Sequence, residues 1–286
     1  MLSLQRQDRP LIGIVGFGAF GRLMARALGP HADLRVHDPD PGAGAAAAAL
    51  DVPLAGLAEV ARCPVVVLAV PVAALGAAVA AIAPHLAPGT LVLDVGSVKV
   101  GPAAILRRGL PGHADIVATH PLFGPESARG GVAGHRIAVC PVRGTRAGRV
   151  AAFLRRRLGL EVIVTTPEAH DREAAVVQGL THAIARVLGG MGPLPGRMRT
   201  KSFDHLVAAA ELVRHDAPGV FDAIAGANPY AAGVRRRFID GLVALDRALD
   251  QPAAPSPKTS AKAAARARSR SAIVTGRPRS TRLVTP

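Results

Sequence analysis

An apolar run, Leu11–Val15, passes directly into Gly16-Phe17-Gly18-Ala19-Phe20-Gly21, and a helical pattern over Phe20–Leu28 follows at once. No other feature constrains this chain as strongly. A strand that turns through three spaced glycines into a helix opens a βαβ unit. Gly16 permits the tight turn, and Gly18 lets the main chain approach a pyrophosphate. Gly21 allows the helix to pack closely on the strand, with its N-terminus aimed at the phosphates. Phe17 and Phe20 lie in the same loop and join the glycines as cofactor-binding positions. In a chain with 31 glycines the spacing alone is weak; the strand before it and the helix after it give it weight.

The units repeat. Strand patterns are expected at Leu34–His37, Pro64–Ala69, Leu91–Asp94, Asp115–Ala118, Arg136–Cys140 and Glu161–Thr165. Helical patterns lie between them at Leu57–Arg62, Val72–Ala83, Lys99–Arg108 and Arg146–Leu158. This alternation predicts an α/β fold, a Rossmann-type doubly wound and mostly parallel sheet. From Pro167 the strand pattern stops, and residues 168–190, 200–214 and 228–250 read as helices. The breaks fall at Gly189–Pro193 and near Pro218-Gly219. The expected organisation is a dinucleotide-binding domain over 1–166, an all-α domain over 167–250 and a tail over 251–286.

Asp38 ends the second strand, 17 residues after Gly21. A carboxylate there can accept hydrogen bonds from both ribose hydroxyls of an adenosine and would repel a 2′-phosphate, so NAD is expected over NADP. Asp38 also precedes Pro39 and so suits a turn. Arg35 and His37 are the neighbours that could reverse the cofactor preference. Val70 and Pro71 end the third strand, and Ser97 follows the fourth. All three lie at carboxyl ends of strands, where open α/β sheets bind ligands. Ser97 equally suits a helix N-cap.

The fifth strand leads into Thr119-His120-Pro121-Leu122-Phe123-Gly124-Pro125-Glu126-Ser127. A histidine before proline is held extended, here in a loop off the sheet edge, which is a good place for a catalytic imidazole. Taken singly, His120 could equally be a loop histidine satisfied by main chain.

Together, the glycine loop, Asp94-Val95-Gly96-Ser97-Val98-Lys99, the Thr119–Ser127 string, His170-Asp171 and Gln178-Gly179-Leu180-Thr181-His182 resemble the arogenate/prephenate dehydrogenase family, most closely its plant-like arogenate branch. The resemblance covers roughly residues 11–250. It implies a Rossmann domain followed by a helical domain that forms a homodimer, with the active site between them. It implies oxidation and decarboxylation of a cyclohexadienol carrying a ring carboxylate, giving tyrosine or its keto-acid precursor. On that likeness His120 takes the hydroxyl proton, a role suited to a group that titrates near neutrality. Ser97 fixes the hydroxyl and the imidazole. Glu126 gates or orients a neighbouring cation, or is a surface residue. Gln178 and His182, four apart on one helix face, turn toward the substrate, although His182 also suits a core or interface position. His170-Asp171 reads first as structural, starting a helix. One departure stands out: Ser202–Val207 carries valine where several bacterial members place a carboxylate-gripping arginine after Asp-x-x. Arg129, Arg197, Arg199 and Lys201 are the unranked substitutes.

Two rivals remain. Other Rossmann-type dehydrogenases or reductases of small acids usually place a catalytic lysine in the helical domain, and Lys201 is the only lysine between 167 and 250. A non-catalytic dinucleotide sensor could bind nucleic acid through a basic tail. The net charge of +15 is unevenly placed: residues 251–286 hold eight basic and no acidic residues, leaving +7 before them. That tail has almost no large apolar residue and is expected to be disordered. No aromatic interleaves its cations, so no stacking platform for bases exists.

Residues 63–84 carry no charge, but Pro71 interrupts them and alanine dominates; strand, turn and helix are expected, not a membrane span. Two cysteines cannot make a disulfide framework, and a cytoplasmic setting is expected. No metal is expected.

Overall fold

The computed structural model describes residues 9–214, 216 and 218–251. The expected tail, beyond its first residue, lies outside them. Seven strands form one sheet: β1 Leu11–Val15, β2 Asp33–His37, β3 Val65–Leu68, β4 Leu91–Asp94, β5 Asp115–Pro121, β6 Arg136–Arg143 and β7 Glu161–Val164. Their order is β2-β1-β3-β4-β5-β6-β7. Every neighbouring pair is parallel except β5 with β6. The central strands are near-continuous apolar runs because both faces are covered: β3 reads VVVL and is almost wholly buried. At the edge, β7 leaves Ile163 and Val164 exposed.

Helices α1 Ala19–Leu28, α2 Ala43–Ala48, α3 Leu57–Ala61, α4 Leu75–Ile82, α5 Val100–Gly109 and α6 Ala147–Leu158 connect the strands. They sort onto two faces. Leu23, Met24 and Leu28 of α1 share one apolar cluster with Val150, Leu154 and Leu158 of α6. Val60 of α3, Leu75 and Val79 of α4 and Leu106 of α5 belong to another. This is the expected doubly wound architecture. The uncharged stretch 63–84 is β3, a turn and α4, and among the described residues no helix is long and apolar enough to cross a membrane.

After β7 every element is helical: α7 Pro167–Gly190, α8 Lys201–Arg214, α9 Pro218–Asp222, a π-turn Ala223–Ala227 and α10 Ala231–Asp250. The start of α7 follows from its sequence. Thr166 accepts from Ala169 N, proline occupies the first turn where its missing N–H costs nothing, and Glu168 suits the helix dipole. The compact units of the chain divide between Arg237 and Phe238, within α10. Few apolar side chains are buried among these helices: Ala175, Ala231 and Val234 form the cluster there. By contrast Val176, Val177 and Val187 of α7 and Leu206 and Leu212 of α8 are exposed.

Two local expectations are corrected. His120 is not in a loop off the sheet edge; β5 runs on to Pro121, and His120 pairs with Ala138 of β6. The extended conformation that proline imposes on its predecessor is itself a strand conformation, and the reversed strand β6 supplies a partner for it. Nor does Ser97 cap α5: the cap position is Lys99.

Candidate active site

The strand order reverses between β1 and β3, and the crevice at their carboxyl ends is where such sheets bind ligands. Two glycines make the crevice possible. Gly16 has φ +98°, and a Cβ on it would lie 2.4 Å from Ala69 O. A Cβ on Gly21 would lie 2.1 Å from Gly16 O. Above Gly18 there is open space. The N-terminus of α1 has no side-chain cap and no acid in its first turn, so its N–H groups and dipole stay available to an anion. These features fit a dinucleotide's pyrophosphate.

Asp38 closes one side of the crevice. Its Oδ2 accepts from Phe17 N at 2.5 Å and its Oδ1 from Asp40 N at 2.8 Å, so the residue shapes the turn and faces the glycine loop at once. Arg35 is paired with Glu59 at 3.2 Å, and His37 Nδ1 meets Ala55 O at 3.1 Å. Phe17 turns its side chain into the core. Phe20 packs its ring 6.3 Å from that of Phe123, tying the glycine motif to the Thr119–Ser127 string. Val70 Cγ1 and Pro71 stand over Gly16 and opposite Gly219, respectively.

At the end of β5, His120 is 4% exposed. Its Nδ1 lies 2.8 Å from His170 Nε2, whose Nδ1 lies 2.8 Å from Asp171 Oδ1. Its Nε2 faces the Gln178 amide nitrogen at 3.5 Å. The His120 pKa is held well below the ordinary imidazole value: burial is the main cause, and His170 and the Lys99 ammonium add to it.

Lys99 is fully buried and forms an ion pair with Asp94, while its ammonium donates to Thr119 O at 2.7 Å. Thr119 Oγ1 returns a hydrogen bond to Asp94 O at 2.6 Å. The ends of β4 and β5 are thereby locked together next to His120. The Asp171 carboxylate accepts from Lys99 N and Val100 N at 2.7 and 2.9 Å, and its carbonyl accepts from Asn228 Nδ2 at 2.8 Å. It therefore caps α5 from another helix. Ser97 sits half-buried in this β4–α5 loop.

On α7, one turn beyond Gln178, His182 Nδ1 meets Gln178 O at 2.9 Å and its Nε2 meets Asp216 Oδ2 at 3.1 Å. His182 and Asp216 line a cavity of about 610 Å³ with Arg186 and Arg199. Gln178 Oε1 is buried with no hydrogen-bond partner among the described residues. Of the four cations left unranked, Arg199 alone lines this cavity, stacked over Phe203. Arg129 is paired with Glu126 in the same loop, and both side chains are exposed.

The structure thus sets Asp38 against the glycine loop, brings His120 and Gln178 together and places His182 one turn further along α7. Sequence reasoning gave too little weight to three residues beside them. His170 contacts His120, and Asp171 holds the start of α5, so the pair does more than start a helix; the signal was the adjacent pair of a base and an acid. Lys99 was noticed only inside a motif, and no local pattern announces that a lysine will be buried.

A family model for the nucleotide-binding domain of prephenate dehydrogenase matches residues 22–156. A 4-amino-4-deoxyprephenate dehydrogenase of Streptomyces pristinaespiralis is 33% identical over 202 residues, covering 68% of this chain and 67% of the relative. Arogenate dehydrogenase 2, chloroplastic, of Arabidopsis thaliana is 34% identical over 148 residues, 50% of this chain. The chain spans only 41% of that plant relative's length. Among solved structures, prephenate dehydrogenase from A. aeolicus, in complex with hydroxyphenyl propionate and NAD+, superposes with a TM-score of 0.71 at 20% identity, covering 93% of this chain and 99% of that one. That likeness is one of fold.

Proposed function

The chain belongs to the arogenate/prephenate dehydrogenase family, and from that premise we propose that it oxidatively decarboxylates arogenate, prephenate or both, using NAD. The observation that carries this reading is the buried His120, with Nδ1 bonded within the protein and Nε2 turned to the only weakly held Gln178 amide.

The chemistry needs little covalent help, because aromatisation of the ring drives it. What it needs is an acceptor for the hydroxyl proton within hydrogen-bond reach. His120 Nε2 is that acceptor, and its lowered pKa keeps it unprotonated at neutral pH. The long contact to Gln178 gives way to the substrate hydroxyl, and the unpartnered Gln178 Oε1 offers that end of the substrate an acceptor. Ser97 steadies the hydroxyl from the β4–α5 loop. His182, with Arg199 across the same cavity, faces the substrate's acidic end. Glu126 acts through Arg129. NAD, when bound, supplies the two-electron oxidant; Gly16, Phe17, Gly18, Phe20, Gly21, Asp38, Val70 and Pro71 hold it. NAD is preferred over NADP because Asp38 faces the glycine loop while Arg35 and His37 are engaged elsewhere.

On this reading residues 1–166 bind cofactor, and 167–250 bind substrate and pair two copies of the chain in the cytoplasm. The exposed apolar residues of α7 and α8, set against a small core, support the pairing. The test is a parallel assay of arogenate and prephenate, each with NAD and with NADP. Turnover of at least one substrate with NAD is expected; inactivity with both would overturn the reading.

A further inference from the structure

We propose that His170 is a positioning residue that fixes His120 in a single tautomer, with the proton on Nδ1 and the lone pair on Nε2. This deepens the functional reading above and rests on it for its catalytic meaning.

The inference follows from counting donors and acceptors along a chain of contacts. Asp171 anchors it, because both carboxylate oxygens already accept main-chain N–H groups, from Lys99 and Val100. A carboxylate so placed can only accept from His170 Nδ1, 2.8 Å away. A neutral His170 therefore carries its single proton on Nδ1, and its Nε2 presents a lone pair. That lone pair lies 2.8 Å from His120 Nδ1. Two lone pairs at that distance would repel, so His120 Nδ1 bears the proton. The remaining nitrogen, His120 Nε2, is left with its lone pair, facing the Gln178 amide N–H. A base that must accept a proton on Nε2 is thus held in the one neutral form that can do so.

Burial makes the ordering strict. His120, His170 and Asp171 are all buried, so water is not at hand to satisfy the other tautomer. Asn228, bonded to the Asp171 carbonyl, holds the anchor from the far side, directly after the π-turn. No proton needs to travel along the chain. When His120 accepts the substrate proton on Nε2, its Nδ1–H stays bonded to His170.

Two variants and one spectrum test this in the full-length protein. His170→Gln presents an amide oxygen that can accept the His120 Nδ1 proton, whereas His170→Phe presents none. The expected result is that His170→Phe lowers kcat on the order of 100-fold or more, with KM for NAD unchanged. His170→Gln should recover most of the loss, at equal thermal stability. Nitrogen-15 spectra of histidine-labelled protein, with His120 assigned by its loss in His120→Asn, should show Nδ1 protonated and Nε2 unprotonated at neutral pH. Because the spectrum needs no substrate, an incorrect substrate assignment would leave this result standing. A wild-type His120 with its proton on Nε2 would overturn the proposal. So would a His170→Phe variant with the wild-type tautomer and turnover.

Discussion

Asp171 caps a helix that begins 71 residues before it: its carboxylate accepts from Lys99 N at 2.7 Å and from Val100 N at 2.9 Å. One side chain of α7 thus closes the N-terminus of α5 and anchors His170. Asp171→Ala removes both functions. It should cost about 1–3 kcal/mol of stability, the range for a lost cap that leaves buried donors unpaired, and turnover should fall as well. Urea unfolding and steady-state assays at one temperature check the two effects. Unchanged stability would mean that the cap contributes nothing.

His120→Asn keeps a polar group of similar reach but cannot take up a proton. Turnover should drop on the order of 10²–10⁴-fold, the usual weight of a general base. NAD affinity, measured by fluorescence titration or calorimetry, should stay within a small factor. Equal turnover in the variant would remove His120 from the mechanism.

Asp38→Ser removes the charge that faces the glycine loop and leaves a neutral hydroxyl in its place. The ratio of kcat/KM for NAD to that for NADP should fall on the order of tenfold or more, about the effect of deleting one like-charge contact. An unchanged ratio would contradict the ribose assignment.

Lys99→Met leaves Asp94 buried with no counter-charge. Breaking a buried pair in this way costs about 3–5 kcal/mol, and the β4–β5 junction beneath His120 should loosen with it. Thermal unfolding should show the loss, and the double variant Lys99→Met/Asp94→Leu should recover part of it. If the single variant is as stable as the parent, the pair has no structural weight.

The depressed pKa of His120 sets a pH dependence. The neutral base persists below the ordinary imidazole value near 6.5, so the acid limb of kcat/KM should lie under that value. Stability follows with a definite sign. Below about pH 6.5 the unfolded chain protonates this histidine before the folded chain does, so folding is weakened as pH falls toward the lowered value. His120→Asn should flatten that part of the stability profile. A kcat/KM limb centred at or above 6.5 would refute the assignment.

Much of this site was legible because its residues announce themselves locally. Gly16, Gly18 and Gly21 carry backbone requirements that depend only on the strand before them and the helix after them. Asp38 sits at a strand end, and Gln178 with His182 obeys helix spacing. The roles of His170, Asp171 and Lys99 depend on contacts across 50, 71 or 72 and 20 residues respectively. No periodicity encodes such contacts. The extension of β5 through His120 was hidden for a related reason. Pro121 looks like a strand terminator, and only the partner β6, reversed against it, shows that the ladder reaches that far.

That extension divides the labour within the molecule. The base is carried by a strand whose main chain is pinned to Ala138, so its place does not depend on a flap closing. The groups that the proposed reading turns to the substrate's acidic end, His182 and Arg199, stand on α7 and on the connection that follows it. Substrate range can therefore be redrawn by exchanging side chains on the helices while the proton-abstracting atom stays where the sheet puts it. A designer seeking a new ring acid for this scaffold would leave β5 alone and rebuild the opposite wall.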